Sequence, residues 1–145
     1  MEPHQKELPK VIVVSTRVPA PDKPISGGMA PAVRDALAGV SEKIWFGLRN
    51  GRPPKAGDLS AEFASAVKID EHGWSYEKDG IDVVELSSEG HEWDGHYNKF
   101  SNGFLWPLCH DRPDLTEVPD DAAKKANHIL NERLAIQIRD ELAKD

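Results

Sequence analysis

The chain has 145 residues, 39% of them apolar and 30% charged, enough to bury roughly two thirds of its unfolded surface as one domain without disulfide or metal staples. Its net charge of -7 is uneven: Lys10 to Lys55 carries eight basic against three acidic residues, and residues 61 to 145 nine against nineteen, so the continuous basic face that nucleic acid needs is absent while a small anion near the N-terminal third is compatible. The longest strongly apolar run is Val11-Ile12-Val13-Val14 and the start (Met1-Glu2-Pro3-His4) lacks a signal peptide's regions, so neither a membrane span nor export is expected; Cys109 is the only cysteine, which rules out an internal disulfide and a cysteine zinc cage and fits a reducing cytoplasm.

Residues 1–9 read as a flexible polar leader. Val11 to Ser15 then predicts a strand covered on both faces, because successive β-formers without alternation suit a doubly covered strand, and Arg17 sits directly after its end. Pro19 to Gly28 reads as a loop closing on Ser26-Gly27-Gly28. Met29, Val33 and Leu37 recur at helical spacing, with Pro31 tolerable in a first turn and Gly39 as a stop. Lys43 to Gly47 predicts a second strand.

Beyond a Pro/Gly/Lys loop (50–57), three short β-rich segments follow: Ala66 to Ile69, Trp74 to Tyr76 and Ile81 to Leu86. Asp79-Gly80 tolerates the positive φ of a tight hairpin turn, so a small antiparallel addition to the sheet is expected. Ser87 to Asp94 reads as an acidic loop, and Tyr97 to His110 as helical until Pro107 interrupts it. From Pro119 a long amphipathic helix is predicted: Asp120 and Asp121 suit its N-terminal dipole, and Ala126, Leu130, Leu134, Ile138 and Leu142 form one stripe. Strand, loop, helix and strand followed by a long helix make half of a doubly wound α/β unit, whose helix normally feeds another parallel strand. Such a chain is either part of a larger protein or covers its sheet edge by association.

Three constellations could carry chemistry. Arg17 after a strand, with Gly27-Gly28 opening a helix, has the parts of an anion site, since strand carboxyl ends and helix N-termini both favour phosphate. His91-Glu92-Trp93-Asp94-Gly95-His96 lacks the i, i+4 histidines of a zinc-binding helix. Cys109 and His110 are adjacent, hence ~100° apart on a helix, which does not suit a nucleophile and base. No cofactor or metal is called for.

The run Tyr97-Asn98-Lys99-Phe100-Ser101-Asn102-Gly103-Phe104-Leu105-Trp106-Pro107-Leu108-Cys109-His110, with Arg112 and Asp114-Leu115, joins Val13-Val14-Ser15-Thr16-Arg17, Ser26-Gly27-Gly28 and Trp45-Phe46-Gly47 in a recognisable order. Together they resemble the N-terminal part of trehalose-6-phosphate synthases and their relatives, where V-V-S-N-R, A-G-G, W-F-G-W and Y-Y-N-x-F-S-N-x-x-L-W-P-x-F-H-x-R-x-D-L follow one another. The resemblance covers about residues 10 to 143. Thr16, Leu48, His96, Cys109 and Pro113 depart from it.

The resemblance implies a retaining glycosyltransferase of two Rossmann-like lobes (GT-B type) that moves glucose from a donor such as UDP-glucose to glucose 6-phosphate. Residues 10–145 would be an incomplete, acceptor-side N-terminal lobe: a partial Rossmann-like parallel sheet, a small antiparallel β addition and a long C-terminal amphipathic helix. Arg17, Tyr97 and Trp106 carry over as ligands of the acceptor phosphate, and Gly27 and Gly28 as the loop beside the donor's diphosphate. The His-Asp-x-His strand end and the nucleotide-sugar lobe have no counterpart here, so UDP-glucose binding and turnover are not expected of this chain alone. A homo-oligomer is expected. Two alternatives stay open: a truncated non-catalytic protein that binds sugar phosphate or a synthase subunit, and a relative using another acceptor such as glycerol phosphate.

Overall fold

The computed structural model describes residues 9–144, so the expected leader lies outside them except for Pro9. A five-stranded mixed sheet, in the order β1-β2-β5-β4-β3, forms its centre. Strands β1 (Val11–Val14), β2 (Lys43–Asn50) and β5 (Ile81–Ser88) run parallel, and β4 (Gly73–Lys78) and β3 (Lys68–Ile69) continue antiparallel from β5.

Alternation along the two central strands divides the core by face. Trp45, Ile81 and Val83 join Leu37, Trp74 and Tyr76 on one side, under α1 (Met29–Ala36) and α2 (Ala61–Ala66). Ile44, Phe46, Leu48 and Leu86 face Leu130 and Leu134 of α5 (Asp121–Leu142) on the other. Asp120 caps α5 by accepting the Ala123 N–H at 2.8 Å, as the acidic start of that helix suggested. The expected hairpin is present, with Asp79 at φ 50° and Gly80 at φ 77° joining β4 to β5.

Several expectations need correction. The first strand is half-buried at the sheet edge, with Val14 48% exposed, because among the described residues only β2 pairs with it. β5 belongs to the parallel set: register with β2 runs from Ile44 opposite Asp82 to Asn50 opposite Ser88, so the antiparallel addition is β4 and β3 alone. Ala66 ends a short helix instead of opening a strand, since the Ser60 hydroxyl caps it through the Phe63 N–H. The stretch from Ser87 to Asp94, expected to be an acidic loop, is instead the end of β5 followed by α3 (Gly90–Trp93), whose start is a capping box between Glu89 and Glu92.

The largest difference lies in the aromatic-rich run. A π-helical stretch spans Asp94–Leu105 and passes into α4 (Trp106–Cys109), with the Trp106 N–H bonding back to the Ser101 carbonyl. Pro107 therefore does not stop the helix ahead of itself. It sits in the first turn of α4, where a missing N–H is tolerated, and the Gly103 carbonyl is taken by the Glu117 N–H at 2.9 Å. Gly95 lets this stretch lie against α5, because a Cβ there would approach Ala126 Cβ at 2.7 Å.

Candidate functional site

Parallel strands place their carboxyl ends on one rim of a sheet, where loops converge on ligands. At the end of β1 the chain turns over β2: the Ser15 N–H donates to Phe46, and the Leu48 N–H to the Thr16 carbonyl. Gly47 permits this close passage, since a Cβ on it would collide with Val18 and lie 3.0 Å from the Ser15 carbonyl. Further along, the buried Tyr76 hydroxyl donates to the Pro19 carbonyl and Lys78 Nζ to that of Pro21 at 3.2 Å. The turn bearing Arg17 is thus tied to the sheet on both sides, while Arg17 itself is exposed.

Tyr97 comes to Arg17 from the other end of the chain. The Arg17 guanidinium, then the Asn102 side chain, lie close enough to its phenol to hold the hydroxyl below its ordinary pKa. The Trp93 ring packs on the Tyr97 ring at 4.8 Å and fixes its plane. A phenol oxygen can accept from a guanidinium and still donate its own proton outward. Asn102 belongs to the motif but receives no site role from the sequence, because it follows Tyr97 by five residues, a spacing that shares a face in a π-helix and not in an α-helix.

The same winding decides where Trp106 lies. An α-helix of about 3.6 residues per turn would carry Trp106 about two and a half turns from Tyr97, onto the opposite face. With about 4.4 residues per turn, the nine steps make about two turns and return Trp106 to the Tyr97 side. Trp106 is half exposed and stacks on His110 at 4.0 Å and 19°, with His110 Nδ1 2.7 Å from the Trp106 carbonyl. The structure thus brings Arg17 beside Tyr97 and places Trp106 two turns further along the same helical path.

Gly27 has φ +96°, a conformation that favours glycine, whereas Gly28 at φ -80° is the N-cap of α1 and its backbone admits other residues. Among the described residues a Cβ on either would meet nothing within 4 Å and no side chain caps α1, and no acidic residue stands in its first turn. Its N-terminal N–H groups therefore face an open approach suited to an anion.

The other candidate constellations come apart. His96 is buried, with Nδ1 3.0 Å from Asn127 Oδ1 on α5, and burial lowers its pKa, while His91 is exposed beside Glu89. Cys109 is exposed, and His110 is engaged with Trp106. A cleft of about 690 Å³ beyond the ends of β2 and β5, among Arg52, Lys55, His72 and Arg133, includes neither Arg17 nor Tyr97. A ligand on those two would be held from one side.

No family model matches the chain. The trehalose-6-phosphate synthase of Cronobacter sakazakii is 30% identical over 132 residues, covering 88% of this chain and 25% of that protein. Among solved structures, that from Escherichia coli bound with UDP-2-fluoro glucose superposes with a TM-score of 0.61 at 26% identity, over 90% of this chain and 24% of the other. The UDP-forming alpha,alpha-trehalose-phosphate synthase of Burkholderia xenovorans in complex with glucose-6-phosphate gives 0.64 at 28% identity, over 90% and 25%. Sequence motifs, sheet and superposition agree: over about nine-tenths of its length this chain is a homologue of the trehalose-6-phosphate synthases, glycosyltransferases of GT-B fold, and it spans about a quarter of their length.

Proposed function

We propose that this chain supplies the acceptor side of a UDP-forming trehalose-6-phosphate synthase. In this reading Arg17, Tyr97 and Trp106 hold the phosphate of glucose 6-phosphate: the guanidinium grips two oxygens, the phenol donates one O–H, and the indole adds an N–H and apolar cover. Gly27, Gly28 and the uncapped start of α1 border the diphosphate of UDP-glucose, which is held against them by a second lobe. The observation that carries the reading is the meeting of Arg17 with Tyr97, 80 positions apart in sequence. The solved relative named as a complex with glucose-6-phosphate supports the choice of ligand.

Calorimetric or NMR titration with glucose 6-phosphate, set against glucose, tests it. Binding should be weak and phosphate-dependent, because one wall of a cleft leaves much of the ligand in water. Arg17→Ala removes a charge-assisted contact worth about 1.5–3 kcal/mol and should weaken binding about 10- to 100-fold. Lys23→Ala, on the same loop, should change it less than twofold. Equal weakening by both, or no preference for the phosphorylated sugar, would overturn the assignment.

The reading also includes self-association and a cytoplasmic location. Leu105, Leu108, Leu115 and Val118 are exposed within a single stretch, and the β1 edge pairs with no strand among the described residues. Sedimentation should show a dimer or larger species, and a monomer throughout the micromolar range would count against association. No helix among the described residues is long and apolar enough to cross a membrane, and the exposed, free Cys109 suits a reducing compartment.

A further inference from the structure

We infer that Ser15 and Trp45 are positioning residues for Arg17, a hydroxyl relay that carries the rigidity of the core to the phosphate-binding guanidinium. The Trp45 ring is fully buried on β2, and its Nε1–H donates to Ser15 Oγ at 2.7 Å. Ser15 Oγ in turn donates to the Arg17 carbonyl at 2.6 Å.

A serine hydroxyl rotates freely and can donate in several directions. Once a buried indole occupies one of its lone pairs, the remaining donor direction is set by that bond. Here it is spent on the backbone of the residue whose side chain reaches Tyr97. The ladder to β2 ends at Thr16, whose carbonyl accepts the Leu48 N–H, so the Arg17 carbonyl lies beyond the sheet's own hydrogen bonds. Ser15 supplies by side chain what the ladder no longer supplies by backbone. Gly47 completes the device, because the absence of a Cβ lets the 15–18 turn rest directly on the strand that carries Trp45.

This inference rests on the reading of Arg17 as a phosphate ligand, but it can be tested without any ligand. The chain has two tyrosines, and burial pushes the Tyr76 phenol far above its ordinary range, so the Tyr97 titration can be followed alone by NMR. In the wild-type chain Tyr97 should titrate below an ordinary phenol, and Arg17→Ala should raise it. Ser15→Ala strands the buried Trp45 N–H and is best combined with Trp45→Phe, which removes that donor. The double variant should raise the Tyr97 titration as Arg17→Ala does, and Ser15→Thr, which keeps a hydroxyl, should restore the wild-type curve.

With glucose 6-phosphate, the double variant should bind about tenfold more weakly, as expected when a charge-assisted contact is misplaced. A Tyr97 titration unchanged in the double variant, whether or not Arg17→Ala moves it, overturns the relay. Failure of the wild-type chain to bind glucose 6-phosphate, with the Tyr97 titrations as expected, overturns the acceptor reading and leaves the relay standing.

Discussion

Leu130→Ala is expected to lower the unfolding free energy by about 3–5 kcal/mol, the cost of deleting a fully enclosed leucine from a packed core. Leu130 is 0% exposed and lies among Ile44, Phe46, Leu48, Leu86 and Leu134, where α5 meets the two central parallel strands. Against a typical total of about 5–15 kcal/mol that is a large fraction, equivalent to a melting temperature lower by about 10 °C or more. The same helix backs the π-helical stretch, through Gly95 against Ala126 and His96 against Asn127, so loosening α5 also unseats Tyr97. Ile136→Ala, at a site 40% exposed on the same helix, should cost less than ~1 kcal/mol. Urea unfolding of both variants is the measurement, and similar losses would show that α5 is not held through Leu130.

Arg133→Ala should cost about 2–4 kcal/mol at neutral pH, because it leaves a buried carboxylate without its counter-charge. Arg133 grips both oxygens of Glu92 at 3.2 and 3.1 Å and also donates to the Ser87 carbonyl at 2.9 Å. The Glu92 side chain is 9% exposed; the arginine's is 33%, which moderates the figure from that of a wholly buried pair. Burial alone would push the Glu92 carboxyl up, but the Glu89 N–H and the Arg133 guanidinium outweigh it and hold the pKa below its ordinary 4.5.

The sign of the pH dependence follows from that depressed value. A carboxyl whose folded pKa lies below its unfolded one binds fewer protons when folded, so its contribution is complete above the unfolded pKa and fades as pH falls through the folded one. The gap in stability between the wild-type chain and Arg133→Ala should therefore be widest near pH 7 and narrow below pH ~4.5, where the variant's carboxyl is neutral. A gap that stays constant from pH 7 down to about pH 3 would assign the loss to the arginine's packing and its bond to Ser87.

The amphipathic stripe of α5, its Asp120 cap, the Asp79-Gly80 turn, and the existence of β1, β2, β4 and β5 were legible in the order of residues. Each rests on contacts a few positions apart: a side chain three or four residues on, a cap three residues back, a φ that two turn residues tolerate. The resemblance of the motifs to trehalose-6-phosphate synthases was equally a matter of linear order. It singled out Arg17, Tyr97 and Trp106 without saying how they meet.

Only the tertiary structure decided the rest, because it depends on partners distant in sequence. Whether β5 pairs with β4 alone or also with β2 turns on the register of strands about forty residues apart, which no local propensity encodes. The π winding of Asp94–Leu105 is a choice between backbone acceptors one residue apart, made where Gly95 nests against Ala126 and the chain packs on α5. That choice puts Tyr97, Asn102 and Trp106 on one face, where an α-helical reading of the same residues separates them. The pairing of Arg17 with Tyr97 likewise exists only once β1 lies beside β2 and the buried Trp45 indole has fixed the turn that follows.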